Sequence, residues 1–251
     1  MRTSISILLL LLALGAKGLS PESLFKDAAK AYQQGDFRKA ATFYEQIMAE
    51  HRVYAAEVYF NLGNAYYKLN DSPSAILNYE RALREAPHDE DVEYNLRLAR
   101  TRIEDKIEPV PQLFYIRWYR GLRDALHTDT WAILGLFFLS LSAVFWAFFL
   151  AGKRLALRKM GFYGGLAGLL LGIFALYTAF HAWNEHFNTK QAVVFAGSVS
   201  VKSAPVNSST GLFILHAGST VRQIDEIGEW VRVRLADGKE GWMLKADLEY
   251  I

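Results

Sequence analysis

A chain of 251 residues that is 52% hydrophobic has enough apolar mass for one large core, yet its apolar residues gather in three long blocks, which points to membrane and excludes a single globule. Its 28 Lys and Arg against 26 Asp and Glu leave a net charge of +2, too balanced for a nucleic-acid footprint. The absence of cysteine removes disulfides, thiolate chemistry, cysteine-ligated metals and lipoprotein acylation at once.

Residues 1–18 carry Arg2, an apolar run from Ile5 to Leu14 and small residues around Ala13, Gly15, Ala16 and Gly18. This pattern predicts a secretory signal segment cut near Gly15 to Gly18. The alternative is an uncleaved anchor helix, because the small residues do not form a clean A-x-A site. Both readings export the residues after 18.

Residues 21–105 repeat themselves. Phe25, Tyr32, Asp36, Ala40, Tyr44 and Ile47 recur 35 positions later as Phe60, Tyr67, Asp71, Ala75, Tyr79 and Ala82, and a further offset of 34 takes Phe60, Asn61, Leu62 and Ala65 to Tyr94, Asn95, Leu96 and Ala99. That period predicts helix-turn-helix units over 21–54 and 56–89, with a capping helix over 90–105. The stretch Tyr59-Phe-Asn-Leu-Gly-Asn-Ala-Tyr66, with Ala75, Tyr79, Ala82 and Pro87, resembles the tetratricopeptide repeat. Small residues such as Ala28, Gly63, Ala40 and Ala75 let paired helices approach, and each repeat buries its face only against a neighbour. By analogy with the family, the first helices present Phe25, Ala29 and Tyr32, then Phe60, Asn64, Tyr67 and Lys68, to a concave protein-binding groove in which Tyr67 is expected to dominate. The competing reading makes the aromatics inter-repeat packing. One departure from the family is Ser72-Pro73, where a bulky residue is usual.

Pro109 and Pro111 are expected to end the helical region. In the linker 106–129, Phe114, Tyr115, Trp118 and Tyr119 alternate with Arg117, Arg120 and Arg123, a composition suited to the lipid headgroup layer. A docking surface for another membrane protein is the alternative. Residues 131–151 and 160–183 contain no charged residue, and each is long enough to cross a bilayer as a helix, with Thr128 or Asp129 capping the first. The loop 152–159 holds Lys153, Arg154, Arg158 and Lys159 without an acid, which predicts that it is cytoplasmic and that both soluble parts lie outside. Gly164, Gly168 and Gly172 form a smooth stripe, and Ala143, Ala147 and Ala151 share its spacing. The two stripes are expected to pack antiparallel, with Ala151 near Gly164.

From residue 191 to 251 the pattern turns to short alternating runs at Val199–Val201, Val221–Ile224, Trp230–Leu235 and Gly241–Leu244, with Asp237-Gly238 as a hairpin signal. Together with Pro205, Leu215-His-Ala-Gly218 and Gly241-Trp242, these runs look like the bacterial Src-homology-3 (SH3)-like domain. Trp230 and Trp242 are candidates either for a peptidoglycan- or peptide-binding surface or for the barrel core. The whole is thus read as multidomain: all-α tetratricopeptide repeats, a two-helix transmembrane hairpin and a C-terminal all-β bacterial SH3-like barrel.

Signal, repeats, linker, two spans and barrel stand in the same order in the BatE family of the Bacteroidetes-type aerotolerance operon, which the chain resembles along essentially its whole length. The resemblance implies a membrane-anchored scaffold working with von Willebrand A-type Bat proteins and a MoxR-type ATPase. The six histidines are scattered, and no phosphate loop, nucleophile elbow or metal-binding histidine pair is present. The expected function is therefore non-enzymatic, without cofactor, metal or nucleic acid. A peptidoglycan-binding adaptor that recruits an envelope enzyme through its repeats is the alternative.

Overall fold

The repeat helices start where side chains cap them. In the computed structural model, which describes residues 20–87, 89–111, 113–188 and 190–251, Ser20 accepts from Ser23 N at the start of α1 (Pro21–Gln33) and Asp36 from Lys39 N at α2 (Phe37–His51). Helix α3 (Ala56–Lys68) begins without such a bond. Asp71 accepts from Ser74 N at α4 (Ser72–Glu85), and Asp89 from Asp91 N and Val92 N at α5 (Glu90–Arg100). Caps of this kind stabilise a helix by ~1 kcal/mol each. Pro73 lies in the first turn of α4, where its missing N–H has no helical partner to lose. The unusual Ser72-Pro73 pair therefore starts the helix cleanly. The segment read as a signal, residues 1–18, lies outside the described residues.

Close packing of the repeats depends on glycine against tyrosine. A Cβ on Gly63 would stand 2.7 Å from the ring of the fully buried Tyr79. The capping helix is shorter than expected, ending at Arg100 and not at 105. Lys106 Nζ folds back to donate to the carbonyls of Arg100 (3.2 Å), Thr101 (3.0 Å) and Ile103 (2.9 Å), satisfying acceptors that a helix end leaves open. The chain is thus out of helix well before Pro109.

Seven strands make up the C-terminal region: β1 (Gln191–Val194), β2 (Ser198–Lys202), β3 (Gly211–His216), β4 (Thr220–Ile227), β5 (Trp230–Arg234), β6 (Glu240–Leu244) and β7 (Leu248–Tyr250). They form one antiparallel sheet ordered β3-β2-β6-β5-β4-β1-β7. The turn between β5 and β6 is closed by Leu235 N to Lys239 O (2.9 Å), with Gly238 at φ +88° supplying the left-handed residue that Asp237-Gly238 promised. Val201, Leu215, Val221, Val231, Val233 and Met243 fill the barrel.

Repeats and barrel share a core. Val193, with no solvent exposure, belongs to the apolar cluster of Tyr59, Ile76, Tyr79, Val92 and Leu96, and Ile103 and Ile251 pack against the same cluster. Arg81 on α4 donates to Tyr250 O (2.5 Å), and Arg84 donates to Ile251 O. Residues 20–108 and 191–251 therefore make one compact unit, and residues 109–190 another.

The second unit holds α6 (Phe114–Asp124), α7 (Thr128–Ala151) and α8 (Leu155–Asn188). Helices α7 and α8 are long and apolar enough to cross a membrane. The residue before α7 is His127, and Thr128 opens the helix without a side-chain cap. Three residues, 152–154, connect the pair, so Arg158 and Lys159 lie within α8.

The seam between them differs from the expected pairing of stripes. On α8 the buried positions Gly161, Gly165, Gly168, Gly172, Ala175 and Ala179 alternate by four and three residues, with Thr178 buried beside the last of them. On α7 the facing positions Trp131, Gly135, Phe138, Ser142, Phe145 and Phe149 alternate in the same way, the repeat of a supercoiled pair. Ala143, Ala147 and Ala151 are exposed, because they stand roughly 120–160° around the helix from the middle of that seam. Gly164 meets Phe145, Gly161 meets Phe149 and Gly172 meets Leu139 and the Gly135 carbonyl. The fit is large against small, and Ser142 Oγ, buried, donates to Gly165 O at 2.7 Å.

A Cβ on Gly168 would stand 3.1 Å from both Phe138 O and Ser142 Cβ. Gly168→Leu should force the helices apart, at an overpacking cost on the order of 2 kcal/mol, and break the Ser142 bond. Thermal unfolding in detergent checks this, with Ala167→Leu on the exposed face expected to behave as the unsubstituted protein.

Candidate interaction surface

The groove residues named from sequence occupy equivalent places on α1 and α3, but most are engaged internally. Phe25 is half-buried with its ring edge-on to Tyr44 (centroids 5.5 Å), and Tyr32 packs edge-on to Phe37 (5.1 Å). Phe60 leans on Tyr79 at 6.1 Å. Asn64 Oδ1 accepts from both Tyr79 Oη (2.8 Å) and Asn95 Nδ2 (2.9 Å), tying α3 to α4 and α5. Tyr67, expected to dominate, is capped: the Arg102 guanidinium lies 3.6 Å from its ring centroid and donates to Tyr67 O (3.0 Å) and Asn70 Oδ1 (3.2 Å). A cation stacked on the ring occupies the face that a ligand would use. Lys68 is exposed.

The open part of this surface lies one repeat further on. Tyr94 and Leu98 stand at the positions of α5 that match Phe60 and Asn64 on α3, and they are 61% and 38% exposed. Tyr94 is a repeat equivalent of Phe60 by sequence, yet it is absent from the groove expected above. The signal was available in the offset of 34, which places Leu98 beside it. Elsewhere α5 is polar where α3 packs inward: Glu93, Arg97 and Arg100 replace the buried Tyr59 and Gly63 and the half-buried Tyr66. Glu93 pairs with Arg97 at 3.4 Å, and Arg100 pairs with Glu80 on α4. Among the described residues no further helix of the stack covers that side, so charge takes the place of packing.

A polar clamp that sequence reading missed joins the repeats to the barrel. Asp105 Oδ2 accepts from the backbone N–H of His216 (2.7 Å) and from Ser219 Oγ (2.5 Å), while Oδ1 accepts from His216 Nδ1 at 2.8 Å. Glu104 stands 3.5 Å from the other ring nitrogen. The three residue types are those of a hydrolase triad, but the serine donates to the carboxylate and not to the imidazole, so nothing activates its oxygen as a nucleophile. Partial burial opposes ionisation of Asp105, yet the hydrogen bonds from the His216 N–H, the His216 ring and Ser219 outweigh it and hold its pKa below the ordinary carboxylate value. The hydrogen bond to Asp105, aided by the charges of Glu104 and Asp105, raises that of His216. No spacing or motif links residues 105 and 216, which meet only because the barrel docks.

Beside the clamp, residues 105–108 and the barrel residues Phe213–Leu215, Leu235, Asp237 and Lys239 enclose an open pocket of about 420 Å³. Its charged rim is largely satisfied, since Lys239 pairs with Asp237 (3.0 Å) and Lys106 with the α5 carbonyls. Of the two barrel tryptophans, Trp242 is buried between its cross-strand neighbours Lys202 and Arg232, and Trp230 is half-buried opposite Leu244.

Residues 56–89 match the family model described as Tetratricopeptide repeat, and residues 197–249 the one described as Bacterial SH3 domain. No curated protein matches the chain. The fold is thus that of helical tetratricopeptide repeats, two apolar helices and a C-terminal all-β bacterial SH3-like domain. Strand β1, which carries Val193 into the repeat core, and the terminal residues held by Arg81 and Arg84 lie outside the matched barrel span.

The clamp predicts a pH window. The raised His216 contributes stability below its ordinary pKa of about 6.5, lost as pH climbs through its folded value; the lowered Asp105 contributes above about 3.9, lost as pH falls through its own. The clamp is therefore complete between about pH 4 and pH 6.5. The difference in melting temperature between the unsubstituted chain and His216→Asn should be largest there, a few degrees, and shrink at alkaline pH. Asp105→Ala, which orphans three donors, should cost on the order of 2 kcal/mol.

Proposed function

We propose that the chain is a non-enzymatic, membrane-anchored interaction scaffold of a bacterial envelope complex serving aerotolerance or oxidative-stress survival. The observation that carries this reading is the shared core: two modules of interaction type are fused into one body, and the chain leaves and re-enters that body through an apolar helical hairpin. The hairpin acts as the anchor in the inner membrane. Helices α7 and α8 run antiparallel through a three-residue connection, so their outer ends lie on one side, as a single soluble body requires. The basic residues Lys153, Arg154, Arg158 and Lys159 at the connection favour the cytoplasmic side for it and the periplasm for the repeats and barrel.

The resemblance to the BatE family supports von Willebrand A-type Bat proteins as the docking partners, with a MoxR-type ATPase acting in the same system. The exposed Tyr94 and Leu98, with Phe60 and Lys68 nearby in the repeat pattern, supply the apolar anchor and polar rim that such contacts use. A peptidoglycan adaptor is the second reading, favoured by the bacterial SH3 match. Retention of the full-length protein on purified sacculi in detergent would support that reading over the scaffold.

Tyr94→Ser combined with Leu98→Ser should reduce recovery of cross-linked partners from native membranes at least tenfold while leaving the melting temperature unchanged, since both side chains are exposed. Tyr67→Ala should instead lower stability, because it removes the platform under Arg102. Undiminished recovery by the folded double variant would exclude this face.

Orientation is tested separately by introducing single cysteines into a chain that has none. With the outer membrane permeabilised, an impermeant thiol reagent should label Ser208→Cys and spare Ala156→Cys. The opposite pattern would invert the topology.

A further inference from the structure

Helix α6 has three faces. Ile116, Tyr119 and Arg123 turn inward, and Arg123 is buried. Its Nε donates to Asp124 Oδ1 (2.6 Å), its guanidinium also pairs with Glu185 of α8, and its carbonyl accepts from Trp131 Nε1 (2.8 Å). These bonds pin α6 against the last turns of α8, at Glu185, where the apolar stretch of that helix ends. For a hairpin that spans a bilayer, that level is the boundary between acyl chains and headgroups.

The two other faces are chemically opposite. Phe114, Trp118, Leu122 and Tyr115 fall within an arc of roughly 100°. Phe114 is 78% exposed and Trp118 69%, far beyond what an ordinary soluble surface needs. Arg120 lies across the helix from them and Arg117 flanks Phe114 about 60° away, both exposed and without an ion-pair partner among the described residues. Asp124, the acid on their side, is taken by Arg123. An aromatic edge beside free guanidinium groups, held at the end of an apolar hairpin, matches a bilayer surface: indole and phenol rings settle at the headgroup level, and guanidinium groups bind phosphate through paired hydrogen bonds.

We infer that α6 lies in the membrane interface as a binding element for anionic phospholipids, its aromatic arc entering the acyl boundary while Arg117 and Arg120 hold headgroup phosphates. The inference rests on the reading of α7 and α8 as membrane spans. Each arginine held near an anionic surface is expected to favour the charged lipid about fivefold, so Arg117→Gln with Arg120→Gln should lower the preference roughly twenty-five-fold. Both residues are exposed, which leaves the fold intact in the variant.

The test uses full-length protein in nanodiscs of phosphatidylcholine mixed with phosphatidylglycerol. Native mass spectrometry reads the ratio of the two lipids retained, and spin labels at Phe114→Cys and, as a control, Leu141→Cys in mid-α7 read depth from relaxation by oxygen against a water-soluble relaxant. The expected result is phosphatidylglycerol enrichment lost in the double variant, a deep Leu141 label and a Phe114 label just below the headgroups. A deep Leu141 label with a water-exposed Phe114 label would overturn the inference alone, leaving the aromatic arc to a protein partner. Equal lipid ratios in the unsubstituted and variant chains would overturn it as well. A water-exposed Leu141 label would remove the membrane reading itself, and the inference with it.

Discussion

The burial of one valine among side chains that belong to another module organises the soluble unit. Val193 is excluded from water, and its cluster is built from Tyr59, Ile76, Tyr79 and Leu96 of the helical repeats. Burying such a side chain is worth about 1.5–3 kcal/mol, and the contact also brings Ile103 and Ile251 under cover. The polar ties to Asp105, Arg81 and Arg84 act only once that apolar contact has set the barrel in place. In water alone, exposed ion pairs of this kind contribute little. The apolar contact therefore supplies the stability, and the directional bonds select the register in which barrel and repeats meet.

In the hairpin, packing runs on a different principle. On the proposed reading of α7 and α8 as membrane spans, lipid gives apolar side chains no reason to leave it for a neighbouring helix, so association comes from close van der Waals fit and from satisfied polar groups. Glycines on α8 accept the ring of Phe145, the indole of Trp146 and the backbone at Phe149, and one buried serine bonds to a backbone carbonyl at their centre. A pairing of glycines with alanines would have left a flat seam with fewer contacts. Aromatic rings fill the groove that the missing side chains leave.

Much of this was legible in the sequence because it is periodic. The offsets of 34 and 35 disclosed the repeats, two uncharged blocks disclosed the long helices, and Asp237-Gly238 marked the last tight hairpin. The stripes of small residues were read at a spacing of four alone, whereas the seam alternates four and three, so Ala143 and its companions were assigned to the wrong face. Strands β1, β3 and β7 escaped because each is short or lacks alternation: Ala192, Val193 and Val194 are all buried, two by the barrel core and one by the repeats. The clamp at Asp105 was invisible for a deeper reason. Contacts between residues 105 and 216 arise from docking, which no local pattern encodes, and the stacking of Arg102 on Tyr67 likewise depends on where the chain turns after α5.

The inserted hairpin also sets an order of events. The apolar surface on α4 that receives Val193 is made early, while Tyr250, which Arg81 grips, comes 169 residues later. At ~5–20 residues added per second, roughly ten to thirty seconds separate the two. Throughout that interval the repeats carry an open hydrophobic patch around Ile76 and Tyr59, and the two apolar helices are being made before the strand that will cover it. The nascent repeat domain is thus a natural client for chaperones, and damage to the hairpin would surface first as aggregation of a domain that contains no fault of its own.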